Sequence, residues 1–600
     1  MMSRFLILAI TAFVGWQLNK LPVPTAPSNV GVLASVLQSP IPAFPGAVGY
    51  GAEALDACRA LPLVVHRLTS LDGDVDGTVP GSFFYIAKNF SDTNFDVVVF
   101  TTGGTINMNG GGPPDIGKHC VYFAGQTAPG GGIQAVTDTT LPFGLFHHGW
   151  AIGVTRVNEQ QHIGVDDWVM RYMRVRSNST DSTGLQGGNF VNAGGDRQVY
   201  DHMSFGCGDD KEMTFDIISG VTAIIENVTV SHSILYACIN QPGASTPINF
   251  TGPSTLTGLE NPDSVNNNLT IYHTYMGVGN WRLPRVTHTR NVQLVGNIAF
   301  GHTSPNYARF ATHMPGGSRM RLESIGNRTK PGTLNSNNYG TVEFQNLNNA
   351  FPIIYSYRNV NGLLCGGDPS CDQTRWRLSK QLSGLVPDSS FRSSSPLETR
   401  PTFDVDLATT AAIDNPTWPS LFDDLGADAS VDCSGLWLPN RDAVDVAFLK
   451  EFSDSLAIHG EWLADYGPFG RAIQLDPGSA CADADADGLP DAFETLCVGD
   501  ATSMTPGGDL GGDGYLNIEE YANGTNSTGR DLDWNDNSSD EDGFHIERDK
   551  GSGWVRFASV GANVESYFDI DARVGDDYRV VAYNAFGESA PSNIDSAECR

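Results

Sequence analysis

Six hundred residues exceed what one compact core usually holds, so the chain is either a large solenoid or several domains. Sixty-eight acidic residues against 36 basic ones give a formal net charge of −32, which argues against a nucleic-acid partner and fits a calcium-rich or saline setting. With 67 glycines, 33 prolines and 17% charged residues, the composition is rich in turns and strands and excludes a coiled coil.

The chain opens MMSRFLILAITAFVGW, in which Arg4 precedes an apolar run from Phe5 to Trp16. That run is too short to span a bilayer and has the length of a signal-peptide core, so residues 1–20 are expected to direct secretion. No later run is long enough for a membrane span, and a monomeric extracellular protein is expected. Ten cysteines in such a chain imply disulfides, with the connectivity left open. Cys365 and Cys371 lie close in sequence, as do Cys481 and Cys497, and none falls in a CxxC pattern. Asn178, Asn227 and Asn327 head glycosylation sequons, which matter in a host that glycosylates.

From about residue 95 to 360, short alternating apolar runs recur between Gly-, Asn- and Ser-rich turns. DVVVF (96–100), HCVYFAG (119–125), WVMRYMRVR (168–176), QVYDHMSF (198–205), VTVSHSIL (228–235), LTIYHTYM (269–276), VQLVGNIAF (292–300) and MRLESIGN (320–327) read as strands. Aligned on their cores, His202, His232 and His273 occupy matching places, and Gly296 follows at the same place. An irregular period without helices between the strands favours an all-β, single-stranded parallel β-helix spanning about 40–455. An antiparallel sandwich would need hairpin dipeptides that are scarce here. The three histidines are read mainly as stacked, hydrogen-bonded residues of the coils, not as zinc ligands.

DADADGLPDAFE (483–494) places Asp483, Asp485, Asp487, Asp491 and Glu494 at positions one, three, five, nine and twelve of a loop, with Gly488 at six. Carboxylates at alternate positions wrap a hard cation, and glycine makes the sharp turn. DLGGDGYLNIEE (509–520) repeats the pattern with Asp509, Asp513, Asn517 and Glu520, but Gly511 supplies no ligand at position three. The spacing resembles the paired EF-hand or dockerin-like calcium loops of secreted carbohydrate-active enzymes, and a structural Ca²⁺ module is expected over 478–525. The last segment, 528–600, alternates throughout and reads as a small β-sandwich. Its DYRVVAYNAFGES text resembles a fibronectin type III module.

The stretch from Asn280 to Lys330 breaks the charge balance: Arg282, Arg285, Arg290, Arg309, Arg319, Arg321, Arg328 and Lys330 stand against one Glu323. Arginines on successive coils would line one face of a solenoid and suit an anionic ligand. Pro284 stiffens the WRLPR segment that carries Arg282 and Arg285.

AFPGAVGYGA (43–52), VVVFTTGGTI (97–106), FAGQTAPGGGI (123–133), VMRYMRVR (169–176), VYDHMSFGCGDDKEMTF (199–215), VTVSHS (228–233), WRLPRV (281–286), LGA (425–427) and RDAVD (441–445) come in an order that resembles pectate lyases of polysaccharide lyase family 1. The resemblance implies a right-handed parallel β-helix and a secreted, calcium-dependent enzyme. It implies cleavage of (1→4)-α-D-galacturonan by β-elimination to 4,5-unsaturated oligogalacturonides. It places Arg282 as the base that removes the C5 proton, and Arg285 as the grip on a substrate carboxylate. Asp201 and His202 match the family's Asp-His pair, and His202 and Trp281 are expected at the substrate. Asp181, Asp210 and Glu212 are the expected calcium ligands, although Lys211 stands where the family often has glutamate. Because the arginine pKa lies above about 12, an alkaline activity optimum follows. Two other readings stay open: a β-helix glycoside hydrolase using Asp201, Asp209 and Asp210, and a non-catalytic polysaccharide-binding adhesin or spike.

Overall fold

A computed structural model describes residues 40–74, 76–107, 118–137, 150–152, 165–177, 188–192, 194–206, 211–216, 225–236, 246–251, 268–277, 283–287, 289–300, 306–311, 320–330, 341–345, 352–361, 375–378, 393–396, 400–405, 424–453, 473–524, 530–551, 553–569 and 576–596. The chain divides into Met1–Pro40, of which only Pro40 is described, and Ile41–Arg600, which carries everything below. Among the described residues no helix is long and apolar enough to cross a membrane.

Among the described residues three parallel sheets of ten, nine and eight strands wind along the chain, and from Val121–Ala124 onward each coil gives one strand to each sheet in turn. Sheet A runs from Leu63–Leu68 to Ile353–Tyr357, sheet B from Gly104–Asn107 to Val360–Asn361, and sheet C from Trp150–Ile152 to Arg375–Leu378. This is a parallel β-helix. Its interior is apolar, with Phe123 against Trp168 at 5.3 Å and Tyr200 against Phe215 at 5.6 Å between ring centroids.

One residue turns the chain from sheet A into sheet B. Tyr172, His202, His232 and His273 take left-handed φ of 54°, 51°, 45° and 44° there, and Gly296 and Gly326 follow at 65° and 62°. The histidine alignment read from the sequence is therefore one corner of the solenoid, since Asp201, Ser231, Tyr272 and Val295 pair in register. Buried asparagines hold the later coils at this corner. Asn297 Nδ2 donates to the carbonyl of Ile271 and Asn327 Nδ2 to that of Leu294, both at 2.7 Å. Asn327 is thus committed to the ladder, and Asn227 Nδ2 is spent on Asp196 at 2.7 Å, so both sequons are parts of the fold, while Asn178 lies outside the described residues.

The strands of sheet A are covered on their outer side as well, which is why Phe95–Phe100 is buried along its whole length. The segment 43–52 crosses the sheet, with the Gly51 amide donating to Thr229 Oγ1 at 2.9 Å. A Cβ on Gly51 would meet the Gln198 carbonyl oxygen at 2.1 Å, so the glycine of the VGYGA text is a close-approach position. Farther along the chain, the helices Asp491–Val498 and Asn517–Asn523 lay Phe493, Ile518 and Tyr521 into one apolar cluster with Val97, Tyr122 and Val199 of sheet A. The helix Ala443–Ser453 covers sheet B, stacking Phe448 on Tyr236 at 3.8 Å.

Disulfides join Cys58 to Cys120 and Cys433 to Cys481, so the neighbouring Cys481 and Cys497 are not partners. Residues 530–596 form two antiparallel sheets around Leu532, Ile546 and Tyr578. The strand Arg530–Asp533, which the sequence pattern does not announce, opens this module and pairs with Ser566–Asp569.

Candidate functional site

Arg285 opens the sheet C strand Arg285–Thr287, in register with Asn249 on the coil before and Arg309 on the coil after. Val286 beside it is fully buried in the interior with Phe215 and Phe250, so strand alternation puts Arg285 on the outer face. Its Nε is buried and has no hydrogen-bond partner among the described residues. Glu212 lies two strands earlier on the same sheet, fully buried, and its neighbour Met213 points into the core. Arg282, Trp281, Asp181 and Asp210 lie outside the described residues.

The basic stretch does not line one face. Arg285 and Arg309 share sheet C, but Arg321 belongs to sheet A and Arg328 and Lys330 to sheet B. The coils in this region recur at intervals of 23 and 30 residues, which spreads such a stretch around the solenoid. Glu323, its one acid, accepts from Arg400 at 2.6 Å and Gln293 at 2.9 Å.

His202 sits at the A–B corner, the one that sheet C does not share. Nδ1 is 2.7 Å from Asp201 Oδ2 and Nε2 is 2.9 Å from Asp424 Oδ1, so both nitrogens expected to face substrate are engaged within the protein. Its ring lies between Tyr172 at 4.4 Å and His232 at 4.8 Å. Burial opposes the charged ring, but Asp201 and Asp424 outweigh it and push His202 up to about 10. Burial likewise opposes ionisation of Asp201, yet His202 and Arg171 hold its carboxyl well below the usual range. The histidine's contribution to stability is therefore fully present below its unfolded pKa of about 6.5 and lost as the pH rises through about 10. The stability gap between the native protein and His202→Gln, measured by thermal unfolding, should be widest near pH 6 and shrink steadily toward pH 10. A constant gap would mean that the ring acts through packing alone.

The two acidic loops share one hydrogen-bond plan. Position one accepts from the amide at six: Asp483 from Gly488 at 3.2 Å, Asp509 from Gly514 at 3.0 Å. Position five accepts from seven: Asp487 from Leu489 and Asp513 from Tyr515, both at 2.9 Å. Position nine accepts from two: Asp491 from Ala484 at 2.7 Å, Asn517 from Leu510 at 3.0 Å. Asp483, Asp485 and Asp487 bring ligand oxygens within 4.8 Å of one another. Glu494, at position twelve, is fully buried, and its Oε2 has no hydrogen-bond partner among the described residues. Burial with Asp487 and Asp485 nearby pushes Glu494 up to about 7, and burial with Asp513 and Asp509 pushes Glu520 up to about 9. Glu494 Oε1 accepts from the Met504 amide at 3.1 Å, and a buried carboxylate with its second oxygen left over, beside three others, is a donor set that a hard divalent cation satisfies, so these residues fit Ca²⁺.

Asp442 and Asp445 have roles that sequence reading did not assign. Both reach the buried arginines of the VMRYMRVR strand: Arg176 meets Asp442 at 2.5 Å and Asp445 at 2.8 Å, and Arg174 meets Asp442 at 3.2 Å. The signal was present as two quoted motifs, but nothing in their spacing says that they touch.

A β-helix with an arginine-bearing outer face and acidic loops is the class that the geometry defines. No family model matches the chain. It is 24% identical over 500 residues to the probable pectate lyase C of Aspergillus oryzae, covering 83% of this chain and 97% of that protein. It is 31% identical over 193 residues to the probable pectate lyase C of Emericella nidulans, or 32% of this chain and 36% of that one. Among solved structures, the major allergen of cedar pollen aligns at 13% identity and a TM-score of 0.35, over 63% of this chain and 92% of that one.

Proposed function

We propose that the chain is a secreted, calcium-dependent polysaccharide lyase that cleaves polygalacturonate by β-elimination. The observation that carries this reading is the Nε of Arg285 on the outer face of sheet C, which has no hydrogen-bond partner among the described residues and belongs to a guanidinium suited to a carboxylate. The likeness to probable pectate lyases C along 83% of the chain supports it. Arg285 holds the carboxylate of the sugar unit beyond the scissile bond. Arg282 takes the proton from C5 of that unit, the electron pair forms the C4–C5 double bond, and the C4–oxygen bond breaks. Asp181, Asp210 and Glu212 would hold calcium at the cleft, where it would supply positive charge to offset the charge developing on the substrate carboxylate. The loops 483–494 and 509–520 would hold structural calcium through Asp483, Asp485, Asp487 and Glu494 and through Asp509, Asp513 and Glu520.

A hydrolase would need a protonated acid beside the bond. Asp201 cannot serve, because Arg171 at 2.9 Å and His202 at 2.7 Å keep it ionised. Incubation with polygalacturonate and Ca²⁺ should raise the ultraviolet absorbance of an unsaturated uronide. New reducing ends without that absorbance would instead mean hydrolysis, and neither signal would mean a binding protein.

A further inference from the structure

We propose that calcium entering the loops 483–494 and 509–520 fastens the C-terminal segment onto sheet A, so that the early coils of the β-helix are closed only in the calcium-loaded protein. The inference rests on those loops binding calcium and concerns what their occupancy controls.

The outer side of the first coils is apolar. Val97, Tyr122, Val169 and Val199 are at most 1% exposed, and the two loop helices share their cover with Phe44, Ala52 and Leu55 of the N-terminal segment. A polar seam runs beside the apolar one. Arg59 grips Glu519 at 2.8–3.1 Å through Nε and NH2. Gln126 Nε2 donates to the Ala522 carbonyl at 2.9 Å, and Arg171 donates to Asn523 Oδ1 at 2.7 Å.

The last ligand of each loop stands inside the helix that docks, next to a docking residue. Glu494 follows Phe493, and Glu520 precedes Tyr521. Docking therefore buries both carboxylates fully among the other loop acids. Carboxylates crowded out of water are unfavourable unless a cation compensates them. With the ion present, the geometry that satisfies the cation is the one that seats Phe493 and Tyr521. Without it, that compensation is lost, and lifting the helices off the sheet returns the carboxylates to water. The Cys433–Cys481 disulfide keeps the segment tethered, so the change is reversible. Coupling of this kind is reciprocal: whatever weakens the docking weakens calcium binding by the same factor.

The test uses the full-length protein, calorimetry with Ca²⁺ and amide hydrogen exchange with and without chelator. Chelation should speed exchange in 95–100 and 121–124 by at least about tenfold, leave 291–300 unchanged, and be reversed by added calcium. Glu494→Gln with Glu520→Gln, which removes the buried charge that calcium offsets, should take up less calcium and lose the chelator-dependent change in exchange. Gln126→Ala, which touches no loop ligand, should lower the loops' calcium affinity. Calcium binding that leaves exchange in 95–100 unaltered would overturn the fastening while sparing the calcium reading. If the native protein and the double variant take up the same calcium, the loops are not the sites and both fall.

Discussion

Arg282→Lys should keep the wild-type thermal transition and form unsaturated product about 10²- to 10⁴-fold more slowly, the range a positioned base contributes. Lysine preserves the positive charge, so the loss reports proton transfer and not the attraction of an anionic polymer. The two side chains are not interchangeable where a planar fork must meet a defined atom. Residue 282 is followed by Leu283, which is fully buried, so the backbone next to the base is anchored in the core. Arg285→Lys should differ in kind, raising KM more than it lowers kcat, because that side chain holds a group that does not react. The check is initial velocity by ultraviolet absorbance across substrate concentration and pH. An Arg282→Lys protein with the full rate, or a native optimum near pH 5, would end the proposed role.

Asp445→Ala should cost about 3–5 kcal/mol of stability, the loss expected when one partner of a buried ion pair is deleted. Asp445 is fully buried and accepts from Arg176 at 2.8 Å and from Ser204 Oγ at 2.6 Å. Arg174 and Arg176 are fully buried too, so the deletion leaves Asp442 to answer two guanidinium groups. The same helix carries Phe448 onto sheet B, so loosening its start also uncovers Tyr236 and Tyr275. The exposed pair Lys118–Asp92, at 2.9 Å, is the control, and Asp92→Ala should cost at most about 1 kcal/mol. Denaturant unfolding measures both, and equal effects would refute the argument.

The solenoid was legible because its strands share a register that the sequence repeats: the recurrence of His202, His232 and His273 marks one corner, coil after coil. The calcium loops were legible because oxygen ligands around one ion dictate their own spacing. The partners of His202 were not. Asp424 reaches it across a sequence separation of 222, and no local pattern encodes that meeting. The run DVVVF signalled a strand, but not that both of its faces are covered, nor by what. Around Arg285, strand alternation gives the outer face, whereas the expected calcium ligands Asp181 and Asp210 fall where loop length varies and periodicity is silent.

The packing of the two loop helices on sheet A also sets an order of events. Tyr122 meets Asn523 across a separation of 401 residues, and Arg59 meets Glu519 across 460. Contacts that distant form late, because the chain between them must first be ordered. During synthesis the N-terminal coils emerge early yet wait, with one apolar side bare, until nearly nine-tenths of the polypeptide has been made. A chain that stops before Phe493 therefore lacks that residue, Ile518 and Tyr521 from the cover of Val97 and Tyr122.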